Sequence, residues 1–172
     1  MLHIITGGSG SGKSAYAEEL IMSFAAAKRI YIATMYPADE ECRKKIARHR
    51  RLRAEKNFET VECYKSLGKL TLPENAAVLL ECMSNLAANE VFGGNEMLLN
   101  CADGIVRDVL KLAGRVQEMV VVTNEVFSDG NTYDEGTRHY LCQLGQINQE
   151  MAAQAETVTE VVYGIPVRMG AL

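Results

Sequence analysis

Residues 2–14 constrain what this chain can fold into more than any other stretch. Gly7-Gly8-Ser9-Gly10-Ser11-Gly12-Lys13-Ser14 fits the spacing G-x-x-x-x-G-K-[ST] of a phosphate-binding P-loop. The motif carries weight only between a strand and a helix, and both neighbours are there. Leu2 to Thr6 is a short apolar run that reads as a strand, and Ala15-Tyr16-Ala17-Glu18-Glu19-Leu20-Ile21 is a run of helix formers. The glycines let the backbone wrap close to a polyphosphate and reach positive φ. The backbone N–H groups then form an anion nest at a helix N-terminus. Lys13 would reach the β- and γ-phosphates, and the Ser14 hydroxyl would ligate Mg²⁺. A flexible Gly/Ser linker has no reason to sit between a strand and a helix.

The rest of the chain follows the same alternation. Helices are expected over 13–27, from Glu40 to about Glu55, and over 83–92, 96–114 and 135–155, with Asp39 as a cap for the second. Strands are expected at Arg29–Thr34, Phe58–Cys63, Ala76–Cys82, Glu118–Thr123, Thr157–Tyr163 and Ile165–Met169, with a polar loop over Phe127–Asp134. Several strands are continuous apolar runs, the mark of a parallel sheet covered on both faces. The fold class is therefore α/β: a three-layer sandwich of the P-loop type, one catalytic domain over residues 1–172.

Charge and composition exclude several classes. A net charge of −4 gives no general field for nucleic acid. No apolar run approaches the roughly 18 residues of a membrane span, and nothing after Met1 reads as a signal peptide. The five cysteines are spread out with no C-x-x-C pair, which fits free thiols in the cytoplasm better than disulfides or zinc. The methionines read as core filler.

In a parallel sheet ligands meet the C-terminal ends of the strands, so Thr34, Glu62, Glu81, Asn124 and Glu125 merit inspection. Glu81 ends a buried strand, where P-loop proteins place an acid for Mg²⁺. Lys45, His49 and Arg53 share one stripe of a basic helix, at i, i+4 and i+8. Flanking cations disfavour the imidazolium, so His49 would be neutral and nucleophilic. By pattern alone the helix reads first as a solvated basic face with an incidental His. His3 reads as a core or edge residue, and His139 has no acid or base partner in view.

These segments together resemble the bifunctional adenosylcobinamide kinase/adenosylcobinamide-phosphate guanylyltransferases. The resemblance rests on T-G-G-x-x-S-G-K-S, Tyr31-Ile32-Ala33-Thr34, the acids 39–41, and Lys45-Ile46-Ala47-Arg48-His49-Arg50 with Arg53. It continues through Leu79-Leu80-Glu81-Cys82, Val122-Thr123-Asn124-Glu125-Val126, Gly145 with Asn148-Gln149, and Gly164-Ile165-Pro166. It implies phosphorylation of the corrinoid aminopropanol arm by ATP or GTP, then GMP transfer from GTP through a guanylylated His49. It also implies a nucleotide site comprising Gly7, Gly8, Ser9, Gly10, Ser11, Gly12, Lys13, Ser14, Thr34, Arg50, Arg51, Leu52, Arg53, Glu62 and Glu81. Lys13 and His49 would be catalytic, Ser14 and Glu81 would hold Mg²⁺, and the protein would form a homotrimer.

The chain departs from the family pattern at Ser9-Gly10, over Phe127–Tyr133 and at Tyr140-Leu141-Cys142. The last two stretches belong where a corrinoid or a neighbouring subunit would be met. A P-loop kinase without guanylyl transfer, and a nucleotide-binding regulator without turnover, are the alternatives this leaves open.

Overall fold

The apolar runs pair edge to edge into one seven-stranded sheet. The computed structural model describes residues 1–53, 56–128 and 130–169. The side chains of Lys45, His49, Leu52 and Arg53 are outside that description, as are the expected helix end at 54–55 and Asp129. In chain order the elements are β1 (Leu2–Thr6), α1 (Lys13–Ser23), β2 (Lys28–Ala33), α2 (Glu40–Arg53), β3 (Phe58–Glu62), β4 (Ala76–Glu81), α3 (Met83–Phe92), α4 (Ala102–Ala113), β5 (Glu118–Val122), α5 (Glu135–Gln154), β6 (Thr157–Val162) and β7 (Ile165–Arg168). The strand order is β3-β2-β4-β5-β1-β6-β7. Every pairing is parallel except β6 with β7, which form an antiparallel hairpin.

Burial explains the strand sequences. β5 is buried at every position and β4 at all but Glu81, because both lie inside the sheet with helices on each face. Alternate residues divide between two cores. Ile4, Ile32, Val78, Leu80 and Val121 face α3, α4 and α5, where Leu86, Val109, Leu144 and Ile147 meet them. Ile5, Tyr31, Leu79, Val120 and Val122 face α1, through Ala17 and Ile21.

Helix α2 is different. Asp39 caps it as expected, its Oδ1 accepting from the Cys42 N–H at 2.7 Å. None of its described side chains is buried, and only Cys42 and Ile46 are half-buried. It stands off the core as a polar helix.

Three expectations need correction. The helix expected over 96–114 begins at Ala102. Its start is set by Gln143 of α5, whose Oε1 accepts from the Cys101 and Ala102 N–H groups at 2.9 and 3.1 Å. The first helix stops at Ser23 rather than 27, because Phe24 turns to extended backbone and stacks its ring on His3 at 5.4 Å. The methionines are only partly core: Met83, Met119 and Met151 are buried, whereas Met1, Met22, Met97 and Met169 are exposed. His3 is a core residue as expected, held between Thr157 Oγ1 and Glu118 Oε2. Among the described residues all five cysteines are free, and no helix is long and apolar enough to cross a membrane.

Candidate active site

The loop after β1 and the ends of β2, β4 and β5 converge on one cleft of about 440 Å³. The loop is anchored on both sides. Glu125 N–H donates to the Gly7 carbonyl at 3.1 Å, and Gly164 N–H to the Ser11 carbonyl at 2.8 Å. Gly7 has no room for a side chain: a Cβ there would lie 2.5 Å from the Val161 carbonyl oxygen. Gly12 has φ 94°, a left-handed conformation that starts α1 and that a side chain would strain.

Two polar groups in the loop lack a strong acceptor of their own. The Lys13 ammonium, largely buried, turns back onto the Gly8 carbonyl at 3.0 Å. Ser11 Oγ is buried with no hydrogen-bond partner among the described residues. A loop of donors turned inward in this way is built around an anion.

Glu81 closes the opposite wall. Its Oε1 accepts from Ser14 Oγ at 2.6 Å, and its Oε2 accepts from the Tyr31 hydroxyl. Tyr31 escaped the sequence reading. The only signal was a hydroxyl-bearing residue inside the apolar run Ile30-Tyr31-Ile32, pointing to the same face as the partner it ties. Among the described residues no group of three or more His, Cys, Asp or Glu could hold a metal alone.

The other strand-end residues take distinct places. Thr34 lines the cleft but spends its hydroxyl on the Cys82 backbone, donating to the carbonyl at 2.8 Å and accepting from the N–H at 2.7 Å. Asn124 also lines the cleft and donates to Cys82 Sγ at 3.6 Å. Burial pushes the Cys82 thiol above its usual range. Glu125 turns away, accepting from Phe127 N–H and Ser128 Oγ of its own loop. His139 sits near the Leu98 carbonyl and is not among the residues that line the cleft.

Arg50, Arg51 and Glu62 are not in this cleft. They line a neighbouring basin of about 630 Å³ with Tyr64, and Ile46 of α2 borders both spaces. Arg50 is paired with Glu62, which also accepts from the Tyr64 hydroxyl at 2.7 Å. Burial, reinforced by Glu62, pushes the Tyr64 phenol up to about 12. His49, Leu52 and Arg53 are positions of α2 whose side chains are undescribed.

A parallel sheet, a glycine-rich turn into α1, an inward Lys13 and a carboxylate facing Ser14 define a P-loop nucleotide-binding protein. Solved structures agree at the level of fold. The flagellar accessory protein FlaH from Methanocaldococcus jannaschii superimposes with a TM-score of 0.52 at 14% identity, over 92% of this chain and 70% of that one. A prototypical ATPase from the type III secretion system of pathogenic bacteria also gives 0.52, at 10% identity, over 97% of this chain and 56% of that one.

Sequence narrows the class. The family pattern described as cobinamide kinase / cobinamide phosphate guanyltransferase matches residues 3–169, and the chain belongs to that family. The bifunctional adenosylcobalamin biosynthesis protein CobU of Escherichia coli (strain K12) is 32% identical over 98% of this chain and 99% of its own. CobP of Pseudomonas aeruginosa, also named a bifunctional adenosylcobalamin biosynthesis protein, is 30% identical over 96% and 95%.

Proposed function

We propose that the protein carries out both transfers of its family on one corrinoid. In the first, the hydroxyl of the adenosylcobinamide aminopropanol arm attacks the γ-phosphorus of ATP or GTP, releasing nucleoside diphosphate and the hydroxyl proton. In the second, the imidazole of His49 attacks the α-phosphorus of GTP and pyrophosphate leaves. An oxygen of the corrinoid phosphate then attacks the same phosphorus. The P–N bond breaks, adenosylcobinamide-GDP forms, and His49 is regenerated. The phosphoramidate is a reactive link, which makes the second displacement accessible.

The observation that carries this reading is the shared cleft. The phosphate loop, the Ser14–Glu81–Tyr31 wall and helix α2 border one space, with Ile46 as the α2 residue in the lining. Position 49 follows Ile46 by three residues, a spacing that sets two helix positions on one face. Lys13 would neutralise the β- and γ-phosphates, and the Arg50–Arg51 basin beyond Ile46 would receive phosphate. Thr34, with its hydroxyl engaged, would shape the wall.

The donor set suits Mg²⁺, which takes hard oxygen ligands and keeps phosphate and water in its shell. Ser14 and Glu81 would hold it beside the phosphates, and it would supply charge neutralisation at the transferred group. Assembly as a homotrimer in the cytoplasm belongs to the same reading. Contact between copies is supported by the exposed apolar Val162, Ile165 and Val167 along the β6–β7 edge.

Incubation with α-labelled GTP and Mg²⁺ tests the covalent step. Acid-labile, base-stable label should appear on the protein and be lost in His49→Ala and Lys13→Ala. Absence of label on the unmodified protein removes guanylyl transfer. Phosphorylation of adenosylcobinamide without label leaves a kinase alone.

A further inference from the structure

The turn between β6 and β7 is two residues long, Tyr163 and Gly164. Their φ values are 52° and 79°, the signs of a type I′ hairpin turn. The first position of such a turn favours Asn, Asp or Gly, whose short polar side chain, or lack of one, tolerates the left-handed region. Tyrosine has neither property. Nor does its ring recover stability by packing, since Tyr163 is 95% exposed. A residue held in a disfavoured conformation while burying nothing points to a role outside the folded core.

This turn is locked to the phosphate loop. Gly164 donates to the Ser11 carbonyl at 2.8 Å, and a Cβ on Gly12 would come within 3.2 Å of the Gly164 Cα. The turn therefore flanks the point where α1 begins. β6 lies beside β1 on the side away from β5 and β4. Glu81, facing Ser14, is at the end of β4, on the other side. A triphosphate whose γ end lay at Lys13, Ser14 and Glu81 would extend across the loop toward the β6–β7 turn.

We propose that Tyr163 is the stacking platform for the purine of the phosphate-donor nucleotide. The inference rests on the P-loop reading given above. Stacking uses the face of the base and not its edge, so the platform serves adenine and guanine alike. The donor step then takes ATP or GTP without discrimination.

Tyr163→Asn tests this cleanly. It removes the ring and installs a favoured turn residue, so the variant should keep its fold with an equal or higher Tm. Tyr163→Phe keeps the ring. Binding of the β,γ-imido analogues of ATP and GTP, and of tripolyphosphate, is measured by titration calorimetry with Mg²⁺. Tyr163→Asn should bind both analogues about five- to a hundredfold more weakly. Tripolyphosphate affinity should be unchanged, and Tyr163→Phe should match the unmodified protein. Equal analogue affinities in Tyr163→Asn and the unmodified protein overturn the platform and leave the P-loop reading intact. Weakened tripolyphosphate binding also overturns it, because the loop itself is then damaged. An altered sedimentation coefficient with analogue affinity intact assigns the ring to contact between copies and overturns it as well. Failure of the unmodified protein to bind any of the three ligands overturns both readings.

Discussion

Ser14 and Glu81 are 67 residues apart in sequence, and their 2.6 Å hydrogen bond joins the phosphate loop to the far wall of the cleft. Glu81→Gln keeps the shape and removes the charge. Kinase kcat should fall about a hundredfold or more, the scale of losing one preorganised electrostatic contact, with the fold intact by circular dichroism. Gly7→Ala should abolish nucleotide binding, since its Cβ has no space beside the Val161 carbonyl. Thiol chemistry offers a check independent of activity. Burial pushes Cys63, Cys82 and Cys101 above the usual thiol range; Cys63 and Cys101 are buried, Cys42 and Cys82 half-buried, and Cys142 exposed. Near neutral pH, Ellman's reagent should modify Cys142 first and Cys42 next, and Cys63 and Cys101 only after denaturation. At this scale the sequence pointed to the cleft positions of Lys13, Ser14 and Glu81, because each sits in a local pattern, a P-loop or a strand end. Tyr31 was hidden, since its tie to Glu81 depends on the β2–β4 register, which no local pattern contains.

Among the elements, α4 shows why some boundaries cannot be read locally. The N–H groups of its N-cap Cys101 and its first residue Ala102 are capped by Gln143, a residue 42 and 41 positions later. Gln143→Ala leaves both donors buried and unpaired. It should lower stability by about 1–3 kcal/mol, seen as a shift in the urea midpoint at constant m. Helix α2 lies at the other extreme. With no described side chain buried, its amides should exchange with deuterium far sooner than those of β4 and β5. Strands and most helices were legible in outline because apolar runs and caps are local signals. Ends set by a tertiary partner, at Phe24 and at Ala102, were not.

For the whole molecule, the alkaline limit of stability follows from two phenols. Burial raises Tyr140 and Tyr64 from 10.0 to about 12. The folded state thus holds these protons more tightly than the unfolded chain, so their contribution is complete below pH 10 and lost as pH rises from 10 to 12. Urea midpoints should fall through that window, and Tyr140→Phe should flatten part of the fall. The sheet order has a kinetic counterpart. β1, first of the strands in the chain, has β5 and β6 for neighbours, which span Glu118–Val122 and Thr157–Val162. On the ribosome, a nascent chain that ends before β6 already carries the whole G-x-x-x-x-G-K-S motif, yet lacks the hairpin that braces it. A grip on triphosphates by this loop should therefore develop only once β6 and β7 have emerged, long after the loop itself.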